Sequence, residues 1–457
     1  MTNISDIFLG GVVMKVYQNI VVGFGKGGKT LAKTLANNGQ EVLVIEASAQ
    51  MYGGTCINVG CLPSKNLIIN GQAGLSFEEA SRQKRALTEK LRLKNYHMIA
   101  DLPTATVLTG QAKFISNYEL EVTKLDGSRE RVRGERIFIN TGATPVVPKV
   151  AGLNLSDRIV TSKEAMDWTE KPTKLIIIGA GYIGLEFASM FNSYGTEVTV
   201  IDSGKQILKK EDDDVSQLVT ADLKASGIDF KLDVKLEKVE EVVGGVELFL
   251  SNGEVLRAPK VLVATGRKPN TANLGLENTD IILTDKGAIR VDEYLRTNVE
   301  NIWALGDVNG GPQFTYISLD DFRIVKDQLF GNGQKSLKDR LLVPYTAFIT
   351  PPLSSVGLKE KEVAQLGYDY QILKLPVNGI PKAHVAGDSR GLFKIIVSKE
   401  SNQILGATLY GLESHEVINL ITLAMKAGLP YQELGQLIYT HPTMSESLND
   451  LLGWVIA

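Results

Sequence analysis

One pattern constrains the fold of this chain more than any other: a glycine-rich turn between strand and helix that occurs twice at the same spacing. Val16–Val22 reads as a strand, Gly23-Phe24-Gly25-Lys26-Gly27-Gly28 as a turn, Lys29–Asn37 as a helix, and Val42–Ile45 as a second strand closed by Glu46. The second copy runs from the strand Leu175–Ile178 through Gly179-Ala180-Gly181-Tyr182-Ile183-Gly184 and a helix to the strand Glu197–Ile201 and Asp202. In both copies the acid stands 23 residues beyond the first glycine. Gly23 and Gly179 permit a tight turn, Gly25 and Gly181 let a pyrophosphate approach the backbone, and Gly28 and Gly184 let helix pack on strand. The helix N-terminus then faces the phosphates, and Glu46 or Asp202 can hold a ribose hydroxyl pair. A single such turn often does no more than reverse the chain. A matched pair predicts an α/β protein with two Rossmann-like dinucleotide-binding units.

Both cysteines of the 457-residue chain fall in one segment, Gly53-Gly54-Thr55-Cys56-Ile57-Asn58-Val59-Gly60-Cys61-Leu62-Pro63-Ser64-Lys65. Structural cysteines are usually scattered and buried, so this placement reads as a redox pair. Five residues advance about 7.5 Å along a regular helix, whereas a disulfide spans only up to about 7 Å between Cα atoms. Pairing therefore requires a distorted helix start. The alternatives are two thiols that merely pack and a partial metal site; the nearest histidine, His97, is too remote in sequence to favour the second. Two dinucleotides and one dithiol together describe an electron relay.

With 44% apolar and 22% charged residues, the chain has the balance of an ordinary globular protein large enough for several domains. Forty-nine basic residues against 52 acidic ones leave no basic field for nucleic acid. Two cysteines exclude an extracellular disulfide scaffold, and the expected location is cytoplasmic. The apolar run Ile7–Val13 follows no basic segment and is too short to span a membrane, and Met14 is an alternative start. Leu175–Phe191 is broken by three glycines and Glu186, which fits a buried strand and helix. Phe77–Lys94 reads as an exposed, polar helical hairpin arm, and Gly110–Leu125 as alternating strands. Two strands end alike, at Thr141-Gly142-Ala143 and at Thr265-Gly266, where glycine permits a cofactor to come close. A third, from Ile302, ends at Gly306-Asp307, an acid suited to a flavin ribityl hydroxyl or, more plainly, to a helix cap.

Taken in order from about Tyr17 to Asp450, these motifs resemble the flavoprotein disulfide reductases, the class I pyridine nucleotide-disulfide oxidoreductases, which include dihydrolipoamide dehydrogenase, glutathione reductase and mercuric reductase. Within that family the chain is most similar to the reactive-chlorine-resistance group, associated with hypothiocyanous acid reduction. The similarity lies in Met51–Cys56, Phe138–Gly142, Gln313–Asp321, Thr350–Leu353 and His441–Asp450. The resemblance implies an FAD domain in two parts, 14–150 and 268–342, an inserted NAD(P) domain at 151–267, and an α+β dimerisation domain at 343–457. Residues 1–13 are then an N-terminal extension, disordered in expectation. It also implies a homodimer in which each active site is shared between subunits. FAD would contact Gly23, Gly25, Gly28, Glu46, Gly54, Thr55, Lys65, Thr141, Gly142 and Asp307. NADH or NADPH would contact Gly179, Gly181, Tyr182, Gly184, Asp202 and Gly266.

The same resemblance implies the catalytic roles. Electrons pass from nicotinamide through flavin to Cys61, leaving Cys56 as the attacking thiolate. Lys65 and Glu186 form an ion pair near the flavin, and Tyr182 covers the flavin until the nicotinamide arrives. His441 of the partner subunit is the acid–base, oriented by Glu446. His97, His384 and His415 lie in no such motif and read as structural. Asp202 without an adjacent arginine favours NADH, while Lys205 leaves NADPH open. The expected acceptor is a small thiol-reactive oxidant such as hypothiocyanous acid. The alternatives are dihydrolipoamide dehydrogenase or another low-molecular-weight disulfide reductase, and a flavin-bearing redox sensor. Phe314–Ser318 stands where many relatives carry Ala-His, and Pro351-Pro352 where they carry Pro-Glu, which tells against lipoamide and glutathione. Leu451–Ala457 holds no cysteine pair, which tells against mercuric reductase, and no ligand cluster for copper is visible. Neither nucleic acid nor membrane is an expected partner.

Overall fold

The computed structural model describes residues 6–9 and 12–453. Ala105–Thr109, Val42–Glu46, Val12–Val22 and Arg129–Ile139 lie side by side and parallel, and Ile302–Ala304 adds a further parallel strand beside Arg129–Ile139. Every residue of Val42–Glu46 is buried, as a parallel sheet covered on both faces requires. Along the strands, Val21, Val44 and Phe138 pack under the helices Lys26–Asn37 and Thr315–Phe330. Ile20, Val22, Leu43 and Ile45 point to the opposite core. The parallel pairing, with Val22 beside Ile45 and Ile139, brings the C-terminal strand ends, and with them Gly23, Glu46 and Asn140, to one edge.

The second unit is inserted through a two-stranded ribbon in which Ala143–Pro145 runs antiparallel to Arg267–Pro269. Its sheet is parallel, in the order Asp229–Lys231, Glu197–Ile201, Lys174–Ile178, Lys260–Val263, Ile159–Thr161, with an antiparallel three-stranded sheet beside it. The third unit is an antiparallel five-stranded sheet from Tyr345 to Tyr410, packed against the helix Ser414–Ala427. The predicted architecture of two dinucleotide-binding units and a separate C-terminal α+β unit is thus present.

Two local expectations are corrected. Asp6–Leu9 forms a strand antiparallel to Val12–Lys15, so this part of the extension is not the disordered segment expected; 1–5, 10 and 11 lie outside the described residues. Phe77–Ala100 is one 24-residue helix, not a hairpin, and it is packed rather than free. Its buried stripe includes the polar Lys84, Thr88 and Asn95 beside Phe77, Ala80 and Ile99, which hid the packed face from a hydropathy reading. Those polar groups find partners: Lys84 donates to the Met166 carbonyl, and Ser81 to that of Trp168. Among the described residues, no helix is long and apolar enough to cross a membrane.

Candidate active site

A continuous cavity of about 1970 Å³ joins the two glycine turns. Gly23, Gly25, Glu46, Gly54, Thr55, Cys56, Cys61, Lys65, Thr141, Gly142 and Asp307 line it, as do Gly179, Gly181, Tyr182, Glu186, Asp202 and Gly266. Gly28 and Gly184 stand behind the wall, in the packing role their position predicts: a Cβ on Gly184 would lie 2.0 Å from the Gly179 carbonyl. Glu46 accepts the Phe24 amide at 2.9 Å and the Ser48 amide at 3.2 Å. Asp202 likewise accepts Ala180 at 2.9 Å and Gly204 at 2.7 Å. Each acid thus ties a strand end to its glycine turn and keeps lone pairs for a further donor. Burial pushes the Glu46 pKa up, against the backbone amides that hold its charge.

Between the turns, the short helix Thr55–Asn58 ends, Val59 and Gly60 interrupt it, and a second helix begins at Cys61. This is the distorted start that pairing of the two cysteines requires. Gly60 is needed there because a Cβ would stand 2.8 Å from the Thr55 carbonyl. Gly54 adopts φ +75°, and its Cβ would meet the Gly25 Cα at 2.7 Å, so the redox segment rests directly on the first turn.

Cys56 and Cys61 are free thiols that share a hydrogen bond. That bond is the main reason the Cys61 thiol is pushed down to about 6; the Thr315 hydroxyl, 3.7 Å from its sulfur, and the Lys65 charge add to it against burial. The same bond, with burial, pushes the Cys56 thiol up. The pair therefore holds one shared proton at neutral pH. Protonation of the thiolate as pH falls below about 6 is expected to slow alkylation of the reduced protein by about tenfold per pH unit, and iodoacetamide kinetics followed by mass spectrometry check this.

Lys65 Nζ lies 2.7 Å from Glu186 Oε2, the ion pair predicted across the two units. The other Glu186 oxygen accepts the Phe348 amide at 2.8 Å, and the Phe348 ring lies 4.8 Å from Lys65 Nζ. Tyr182 donates its hydroxyl to Glu211 at 2.8 Å, as Tyr345 does at 2.6 Å. Lys359 Nζ completes this buried site at 2.6 Å from the other Glu211 oxygen. His441 Nδ1 lies 2.8 Å from Glu446 Oε2, and Glu446 is itself fixed by the Thr443 amide at 3.1 Å. The His441 side chain is 70% exposed and does not line the cavity of its own chain.

Sequence reasoning missed several of these residues. Asn140 accepts the Gly28 amide at 2.9 Å and donates to the Leu305 carbonyl at 2.6 Å, bracing the first turn; its place beside Thr141-Gly142 was the available signal. Thr315 lies within the Gln313–Asp321 run already singled out, whereas Tyr345, Phe348 and Glu211 carried no signal, because their partners lie far away along the chain. Arg267 faces Asp307 and moderates the upward shift that burial imposes on that carboxyl.

A cavity lined by two glycine turns of the dinucleotide-binding type, with a dithiol between them, is the site of a flavin-disulfide oxidoreductase, and the comparisons agree. Residues 17–321 match the pyridine nucleotide-disulphide oxidoreductase family, and residues 343–452 match its dimerisation domain. The chain belongs to this family. More particularly, it is 46% identical over 442 residues to the probable pyridine nucleotide-disulfide oxidoreductase RclA of Escherichia coli, covering 97% of this chain and all of that one. A solved structure described as the Cu(II) complex of the HOCl-induced flavoprotein disulfide reductase RclA from Escherichia coli superposes with a TM-score of 0.95, at 45% identity, and covers 97% of this chain and all of that one. A mercuric reductase of Staphylococcus aureus is 32% identical, covering 94% of this chain and 81% of that one.

Proposed function

We propose that this chain passes electrons from NAD(P)H through FAD and the Cys56–Cys61 pair to a small thiol-reactive oxidant, hypothiocyanous acid. The observation that carries this reading is the end-to-end likeness, at 46% identity, to a relative whose structure is described as HOCl-induced. The cradle fits FAD: a Cβ on Gly25 would fill it, 2.5 Å from Asn140 Oδ1, and a buried acid waits at the strand end. Glu46, Thr55, Asp307 and Lys65 would hold that cofactor, with Gly23, Gly25, Gly54, Thr141 and Gly142 giving it room and Gly28 shaping the turn. Gly179, Gly181, Tyr182, Gly184, Asp202 and Gly266 would hold the nicotinamide dinucleotide. Bound there, FAD supplies the relay that takes hydride from nicotinamide and delivers electrons to sulfur.

The protein's own groups do the rest. Glu186 holds Lys65 in place through their ion pair. Cys56, whose thiol is pushed up by Cys61 and burial, needs a base before it can attack, and the partner subunit's His441, oriented by Glu446, supplies it. Cys56 attacks the divalent sulfur of the oxidant, and hydroxide leaves as water with the proton from the imidazolium. Cys61 then displaces thiocyanate and closes the disulfide. One NAD(P)H and one hypothiocyanous acid give NAD(P)⁺, thiocyanate and water. Asp202 favours NADH, while Lys205 and Lys209, the latter 3.3 Å from Asp202, keep NADPH usable. Because NAD(P)H feeds the cycle, a cytoplasmic homodimer is the form we propose.

Among the described residues, one group of three carboxylates, Asp212, Asp214 and Glu360, is close enough to hold a metal, and the Lys394 ammonium already sits among them. Copper therefore enters the test as an acceptor. NADH and NADPH consumption by the FAD-loaded protein is expected to be fast with hypothiocyanous acid and slow with lipoamide, oxidised glutathione and Cu(II). Equally fast turnover of lipoamide or glutathione disulfide would overturn the choice of acceptor and leave the family standing.

A further inference from the structure

Lys29 follows the third glycine of the first turn and is 5% exposed. A buried lysine is ordinarily paired with a carboxylate, since an isolated charge is costly to take out of water. Lys29 has another kind of surrounding. Its Nζ donates to Asn95 Oδ1 and, at 3.4 Å, to the carbonyl of Gly53. The charged and titratable groups acting on it are Lys26, which repels it, and Cys56, whose thiolate would attract it. Gly53 opens the segment that carries both cysteines, so an ammonium with no carboxylate partner is hydrogen-bonded to the backbone of the segment whose dithiol becomes anionic when reduced. An amide or a thioether could fill the same space at lower cost, so the charge itself calls for a reason.

We propose that Lys29 is a positioning residue for the redox pair, its buried ammonium serving as the standing counter-charge to the thiolate that reduced Cys56–Cys61 carries. This rests on the pair being the redox centre. The neighbours leave that task to Lys29 and Lys65. Lys65 is shared with Glu186 at 2.7 Å, Arg267 faces Asp307, Tyr316 is neutral at pH 7 with its pKa raised by burial, and Thr315 offers only a hydroxyl. Burial, aided by Lys26, lowers the Lys29 pKa to about 8, which keeps the side chain cationic at neutral pH.

The test measures the rate of iodoacetamide alkylation of the reduced protein against pH, with mass spectrometry locating the label on Cys56 or Cys61. Lys29→Met removes the charge. Asn95→Asp keeps the lysine and its contact but gives it a carboxylate partner. Both variants are expected to shift the profile to higher pH and slow alkylation at pH 6.5 by about three- to tenfold. Retained FAD content and circular dichroism establish that the variants fold; if Lys29→Met does not, Asn95→Asp decides alone. Variant profiles that overlay an acid-shifted wild-type profile overturn the role of Lys29. A wild-type profile with the midpoint of an ordinary thiol, about 8.5, overturns instead the reading of the pair on which the proposal rests.

Discussion

Cys56→Ser is expected to reduce NAD(P)H-dependent turnover of hypothiocyanous acid by at least about a thousandfold, while FAD content and direct reduction of ferricyanide stay within about twofold of wild type. A serine hydroxyl cannot form the sulfur–sulfur adduct, and Cys61 alone can neither bind the oxidant in the same place nor resolve an adduct with itself. Ferricyanide needs no sulfur, so it separates a lost thiol from a lost cofactor. The mutation exchanges the sulfur of a half-buried side chain for a smaller oxygen, and the glycines at 54 and 60 that shape the segment are untouched. Steady-state kinetics with the two acceptors side by side provide the measurement. Sulfur-dependent turnover above a few per cent of wild type would refute Cys56 as the attacking group.

The second large effect concerns the seam between the inserted unit and the C-terminal unit. Lys394, 1% exposed, sits between Asp212 at 2.8 Å, Asp214 at 3.0 Å and Glu360. Lys394→Met is expected to cost about 3–5 kcal/mol at pH 7, because Asp212 and Glu360 then lose the buried cation and face Asp214, which keeps only the more exposed Lys374 at 2.7 Å. The pH dependence should change sign with it. In the wild type, burial works against the Asp214 charge, but hydrogen bonds from Lys374 and Lys394 win and hold its pKa below the usual carboxylate range. That contribution is present above about pH 4 and is lost as pH falls through the depressed value. Without Lys394 the crowded carboxyls are raised above their unfolded values, so the missing stability returns as pH falls from 7 toward 5. Urea midpoints of the FAD-loaded protein at both pH values measure the two effects. A variant as stable as wild type at pH 7 would show that the seam tolerates the uncompensated charges.

The features legible in the chain itself were those whose cause is local. A glycine turn needs glycine at set positions whatever surrounds it, so both dinucleotide units, Glu46 and Asp202 could be located in advance. The distorted helix at Gly60 followed from the five-residue spacing of the cysteines, since a regular helix carries them too far apart. Lys65 and Glu186 were paired by resemblance, and their side chains meet across 121 positions.

Tertiary structure decided the rest. Phe77–Lys94 reads along the chain as an exposed hairpin arm because the inner stripe of the single packed helix Phe77–Ala100 carries Lys84, Thr88 and Asn95, which only their partners make compatible with burial. Thr315 reaches Cys61 from 254 positions away, and Lys394 reaches Asp212 from 182. Such contacts have no signature along the chain, because packing between units, not backbone preference, selects the partner of a long side chain. The chain alone determined that two glycine turns and a dithiol would be present; the fold brought them to one cavity and determined which charges surround the sulfurs, and so how readily they ionise.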